Sequence, residues 1–254
     1  MPVTAKRPRA VSTPPKVARP WVPQITEIWR HQQHIQSTSE AIYLTLRRAI
    51  VEGALPAGER LAENQLSAVF RRSRTPIREA ILRLQSERLA EHLPRQGIVV
   101  ASMSREEILQ IYVVRADLEG LSARLAAEGI RAAELDHLVW LNERMRSCAT
   151  SGDYANGLTL SLEFHEAICR AGRNDVLLHI VRQIHDMVRR FQKTTLAYPG
   201  RSTEAVDEHE ALIDALRRRD AEAAGRIARD HIARAMQLRI AMQQSMPQPA
   251  LAQS

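Results

Sequence analysis

The sequence predicts a mainly α protein in two parts, a short three-helix unit closed by a β-hairpin and then an all-α bundle of about six helices. Three observations predict it. Of the 254 residues 44% are apolar but only 4% aromatic, which suits aliphatic helix packing better than strands, since strands favour aromatic and β-branched residues. From Thr38 onward apolar residues recur at helical spacing, with one brief exception between Ala90 and Ala101. Helix-ending residues then fall near Gly129, Gly152, Gly172, Pro199-Gly200 and Asp220, cutting the second part into segments of ordinary helix length.

Residues 1–38 are rich in proline and basic side chains (Lys6, Arg7, Arg9, Lys16, Arg19, Arg30), hold a single acid, Glu27, and show no sustained apolar period. They read as a disordered basic arm. Residues 39–103 form the first folded unit. Its first helix carries Ile42, Leu46, Ala49 and Ile50 on one face and stops at Gly53, before a Leu55-Pro56-Ala57-Gly58 turn. A second helix, from Ala62 to Phe70, buries Leu66 and Val69. The third opens at Ser73 as N-cap, tolerates Pro76 in its first turn, and buries Ile77, Ala80, Ile81 and Leu84. Ala90–Leu93 and Ile98–Ala101, joined by Pro94-Arg95-Gln96-Gly97, make a small hairpin. Helix, turn, basic helix and hairpin in this order describe a winged helix-turn-helix. Residues 104–244 are the helical bundle, opened by a Ser104/Glu107 capping box; residues 245–254, polar with two prolines, form a flexible tail.

A net charge of +7 and a pI near 10.1 favour polyanionic partners. No apolar run is long enough for a membrane span, and the basic start lacks the apolar stretch of a signal peptide. Cys148 and Cys169 are too few for a disulfide framework and lack metal-ligand spacing. A cytoplasmic chain with no membrane partner is expected.

If the Ile77–Leu84 stripe faces inward, Arg74 and Arg78 lie one turn apart on the opposite side, near the positive end of the helix dipole. That face suits the DNA major groove. Arginine forks pair with guanine or with phosphate, while Ser73, Thr75 and the N–H groups of the helix start can hold phosphate. Arg71, Arg72 and Arg83 extend the basic footprint, and Arg95, Gln96 and Gly97 form a polar wing tip able to approach a neighbouring groove. Each arginine by itself is as well explained as a solvated helix residue, Arg83 pairing with Glu79 for instance. Their combination within about 65 residues is much less readily accidental.

The run Ala49-Ile50-Val51-Glu52-Gly53, then Gly58-Glu59-Arg60-Leu61-Ala62-Glu63, and Ser73 through Leu84 resembles the winged-helix signature of GntR-family bacterial regulators. By that resemblance, Asn64, Ser73, Arg74, Thr75, Arg78, Gln96 and Gly97 fall at DNA-contact positions. The family's inter-helix turn usually carries a glycine and then an aliphatic residue, where this chain has Arg71 and Arg72. A left-handed residue there without glycine costs about 1 kcal/mol, so either the turn is reshaped or these arginines are recruited to phosphate, the second being the favoured explanation.

The second half resembles the all-helical ligand-binding domain of the FadR-like branch, carried by Arg115 with Leu118-Glu119, Glu163-Phe164-His165, Asn174, Glu208-His209 and Ala228-Arg229-Asp230-His231. The resemblance implies a pocket in which a divalent metal, zinc or nickel, is bound by an aspartate and three histidines and a small carboxylate effector sits against metal and arginine. His165, His209 and His231 match the histidine positions; the aspartate position is Ser161, a poor ligand, leaving that place to water or to the effector. Arg115 is the implied effector anchor, or else braces its own helix through Glu119.

The sequence thus points to a ligand-responsive, homodimeric transcriptional regulator of operator DNA, a repressor released by a small organic acid. Two other readings stay open: a metal-dependent hydrolase or hydratase using the three histidines, and a protein that compacts DNA without sequence preference. No general base is evident for the first, because Glu163 lies two residues from His165, on a different helical face.

Overall fold

The computed structural model describes residues 19–32, 34–191 and 194–244. The chain divides into two compact units, one built from the helices up to Ala49 with Glu59–Val100, the other from Ile50–Gly58 with the chain from Ala101 onward. Among the described residues, no helix is long and apolar enough to cross a membrane. The expected tail at 245–254 and residues 1–18 of the arm lie outside the described residues.

The rest of the arm corrects the sequence reading, because α1 (Val22–His31) is a helix. Trp21, Ile25 and Ile28 are buried, and the Trp29 ring meets Phe70 edge-on with centroids 5.0 Å apart. Fewer than three helical turns in proline-rich surroundings give too short a period to stand out. Pro23 looks like a breaker in sequence, yet it occupies the helix start, where its missing N–H costs nothing.

In α2 (Thr38–Val51), Ile42, Leu46, Ala49 and Ile50 are all buried, as their spacing predicts. Then α3 (Glu63–Phe70) buries Leu66 and Phe70, while Val69 is only half-buried. The following turn keeps the left-handed geometry that glycine normally supplies. Arg71 adopts φ 53°, ψ 48°, Arg72 N–H donates to Ser67 O at 3.3 Å, and Ser67 Oγ donates to Arg72 O at 2.8 Å. Next, α4 (Arg74–Ser86) buries Ile77, Ala80, Ile81 and Leu84, the expected stripe. Arg83 is occupied by α2 and not by Glu79: it lies over the Tyr43 ring, 3.7 Å from its centroid, and pairs with Glu40 and Glu87. The wing is an antiparallel pair, β1 (Ala90–Leu93) and β2 (Gly97–Val100), in the register Ala90↔Val100 to Leu93↔Gly97. Glu59–Leu61 adds a short third edge, with Val100 N–H bonded to Glu59 O at 2.8 Å and Leu61 N–H to Ile98 O at 2.9 Å.

Among its described residues the second unit holds six α-helices, α5 (Arg105–Gly129), α6 (Ala132–Ser151), α7 (Tyr154–Ala171), α8 (Asp175–Arg189), α9 (Arg201–Arg217) and α10 (Ala221–Gln244), with a short 3-10 turn at Thr195–Ala197. The Ser104/Glu107 box caps α5 as expected. The core is aliphatic, built around Ala126, Leu138, Leu141, Phe164, Ile168, Leu212, Leu216 and Ala224. Helices α5 and α10 cross closely because Gly120 and Gly225 face each other: a Cβ on Gly120 would lie 3.1 Å from Gly225 O. Gly172 works differently from a helix stop. It stays right-handed at φ −72°, and the left-handed residue is Arg173, φ 55°. A Cβ on Gly172 would sit 3.1 Å from Leu125 Cβ, so its small size serves packing.

Because Arg71 holds a conformation that disfavours a Cβ, Arg71→Gly is expected to stabilise the chain by about 1 kcal/mol. Equilibrium urea unfolding measures it, and unchanged or lower stability would show that the turn is not strained at this position.

Candidate functional site

The face expected to meet DNA is assembled from α3, the turn after it and the start of α4. Asn64, Arg71, Arg72, Ser73, Arg74, Thr75 and Arg78 are all exposed. Ser73 takes the extended N-cap conformation, φ −63° and ψ 167°, but its hydroxyl makes no capping bond, which leaves that hydroxyl at the helix start where anions bind. Arg78 is not a bare probe. Its Nε and Nη2 donate to Glu63 Oε1 and Oε2, each at 3.0 Å, which pins α4 to the start of α3. The hydrogen bonds from Arg78 hold the Glu63 carboxyl below the usual range, and Glu63 in turn raises Arg78.

At the wing tip Arg95 and Gln96 are exposed and Gly97 is half-buried; Arg95 and Gly97 take positive φ, 64° and 79°. Two residues here escape sequence reasoning. Glu63 sits 15 positions from its partner, so no local spacing reveals the pair. The Arg60 guanidinium lies under the wing, 3.7 Å from where a Cβ on Gly97 would stand, although the sequence shows only an arginine in a turn.

In the bundle, His165 on α7, His209 on α9 and His231 on α10 converge as the sequence predicts, with one candidate ligand atom from each lying within 4.8 Å of the others. All three are buried. His209 stacks on Phe164, centroids 4.1 Å apart. Burial, with the neighbouring imidazoles and Arg201, pushes His209 and His231 well below the ordinary histidine range, so both stay neutral at neutral pH.

A ring of carboxylates and arginines holds the imidazoles. Glu119 Oε2 lies 2.6 Å from His165 Nδ1, while its Oε1 lies 3.2 Å from His185 Nε2 and accepts from Arg115 Nε at 2.5 Å. Burial alone would raise Glu119, but Arg115 and His165 hold it well below the usual carboxylate range. Glu208 Oε2 lies 2.6 Å from His231 Nδ1 and 2.7 Å from Arg201 Nη1. Here burial outweighs Arg201 and raises Glu208.

With both Nδ1 atoms engaged by carboxylates, the Nε2 atoms of His165 and His231 remain as the nitrogens an ion could take, the arrangement in which outer carboxylates orient metal-binding histidines. His165 Nε2 and both ring nitrogens of His209 are buried without a protein partner. Such orphaned polar nitrogens are costly unless something fills the gap. The donor set fits zinc or nickel.

Next to the cluster lies a cleft of about 30 Å³, lined by Tyr112, Arg115, Ser161, Arg201, His231 and Arg239 among others. Arg115 and Ser161 are thus brought to the place predicted for an effector, with Arg115 also paired to Glu119. Sequence reasoning missed Arg201, which is 1% exposed; it follows a Pro-Gly turn and carries no local pattern. His185 was equally hidden, and so was the role of Glu208, since each acts through partners on other helices. Glu163 is exposed, on a different face of α7 from His165, so it does not serve the three histidines as a base.

Together these units have the features of a DNA-binding transcriptional regulator: a basic winged helix-turn-helix and a helical bundle with an internal polar site. Residues 38–100 match the family model for bacterial regulatory proteins of the gntR family, and residues 110–234 match that of the FCD domain. The chain is 31% identical over 182 residues to the gluconate operon transcriptional repressor of Bacillus licheniformis, covering 70% of this chain and 72% of that one. It is 29% identical over 198 residues to the transcriptional repressor GlaR of Escherichia coli, covering 75% and 90%. Among solved structures, E. coli McbR/YncC superposes with a TM-score of 0.64 at 26% identity, covering 84% of this chain and all of that one. The chain belongs to the GntR family of bacterial transcriptional regulators and carries an FCD domain.

Glu119 satisfies Arg115, His165 and His185 at once, so Glu119→Gln is expected to destabilise by about 3–5 kcal/mol, the cost of breaking a buried ion pair. Denaturant unfolding checks this; a loss under about 1 kcal/mol, the range of an exposed pair, would mean that the network is dispensable.

Proposed function

We propose that the protein is a homodimeric repressor that docks α4 of each copy in successive major grooves of a two-fold operator, with the wing tip on the flanking groove. A small carboxylate entering the bundle cleft releases it. Exposed Arg74 and Thr75 at the start of α4, beside the uncapped Ser73 hydroxyl, support the first part. Relatives named as repressors of a gluconate operon and of a D-xylose utilization operon support control by a small organic metabolite.

The observation that carries the sensing half is the buried, unpartnered nitrogens of His165 and His209 beside a cleft lined by Arg115, Ser161 and Arg201. His165, His209 and His231 would hold a divalent ion, zinc or nickel. When bound, that ion supplies a Lewis-acidic site for an effector oxygen. Glu119 and Glu208 fix the imidazole orientations. Ser161, a weak ligand, leaves a coordination position for the effector, and the cationic edge formed by Arg115 and Arg201 favours an anion. The effector acts through different affinities for the DNA-competent and incompetent arrangements.

Arg74→Ala is expected to cost about 1–3 kcal/mol in operator binding; unchanged affinity in a fluorescence-anisotropy titration would remove Arg74 from the interface. His209→Ala is expected to lower the zinc and nickel content of protein purified without chelator, measured by elemental analysis. Equal metal content in variant and wild type would end the three-histidine proposal.

A further inference from the structure

Helix α1 lies before residue 38, where the match to the family model begins. The turn after α3 departs from the family pattern at Arg72, which stands where an aliphatic residue is usual. These two departures meet in space. The Arg72 guanidinium lies over the Trp29 ring, 5.9 Å from its centroid, within reach of a cation–π attraction. Trp29 is itself set edge-on against Phe70, the last residue of α3, at 5.0 Å and 73°.

The backbone of Arg72 is tied to Ser67 at both its N–H and its carbonyl, and Arg72 Nη1 donates to Arg71 O at 3.2 Å. An arginine replacing an aliphatic side chain would otherwise be a long, mobile cation. Here its main chain and its head are both held, two residues before Arg74. Arg30 and His31, both exposed, close α1 beside Trp29. Arg30 adds positive charge to the same end of the helix.

We propose that α1 is an added DNA-facing element: Trp29 is a positioning residue that holds the Arg72 guanidinium over the helix-turn-helix turn, where it grips a backbone phosphate flanking the groove entered by α4. The inference rests on the DNA-binding assignment and extends it to a helix that the family pattern does not include. A phosphate contact carries no base preference, so its signature is the salt dependence of affinity. Packing alone gives Trp29 no such signature.

The test uses the full-length chain and a labelled duplex that the wild type selects from a random pool. Dissociation constants are measured from about 50 to about 200 mM salt, a range over which each phosphate contact contributes about a 3.5-fold loss of affinity. Arg72→Ala is expected to remove one such factor per bound copy, and Trp29→Leu to remove most of the same factor. Combining the two should add nothing to the change in slope. Trp29→Phe, which keeps an aromatic edge against Phe70, should give an intermediate slope and serves as the reading if Trp29→Leu does not fold. A wild-type slope in Trp29→Leu and Trp29→Phe, with only thermal stability lowered, would overturn the proposal. So would independent, additive slope changes from Trp29 and Arg72. If the wild type selects no duplex at all, the DNA-binding assignment fails first, and a slope lost only in the variants cannot be confused with that result.

Discussion

Glu119 is the constraint on which the helical unit depends. One buried carboxylate on α5 meets Arg115 one turn earlier, His165 on α7 and His185 on α8. Removing a charged group from water is expensive, and it is tolerated only when its lone pairs are engaged. The position of α7 against α5 and α8 is therefore tied to the same atoms that set the His165 ring. The helix packing and the histidine cluster share a support, and a change at Glu119 is felt by three helices directly.

The arginines of the DNA-binding unit divide by what they touch. Arg83 is spent on α2, over Tyr43 and against Glu40. Arg78 is shared, held by Glu63 yet exposed. Arg71, Arg72 and Arg74 stand at the turn and the start of α4. Net charge alone does not separate these roles. The separation comes from partners in other elements, and it concentrates the available positive charge at the positive end of the α4 dipole.

Much of this fold was legible in the sequence. The stripes in α2 and α4 and most boundaries of the bundle helices follow from local rules, because each depends on neighbours within about one turn; the end of α8 at Arg189, well before the Pro199-Gly200 break, does not. The convergence of His165, His209 and His231 followed from resemblance, since no local spacing links three helices. What escaped was non-local. Helix α1 is stabilised by Phe70, Gly172 serves a contact with Leu125, and Arg201 reaches its place by the path of α9. The Glu63–Arg78 pair, the Arg60 contact beneath Gly97 and the Glu208–His231 pair belong to the same class. A sequence shows such residues but not their company.

The bundle cleft shares its lining with the carboxylate network, because Arg115 and Arg201 edge it while bonded to Glu119 and Glu208. A carboxylate guest would compete for guanidinium donors that already support the histidines. Discrimination among similar acids would then turn on how many of those donors each guest could claim without freeing a buried carboxylate.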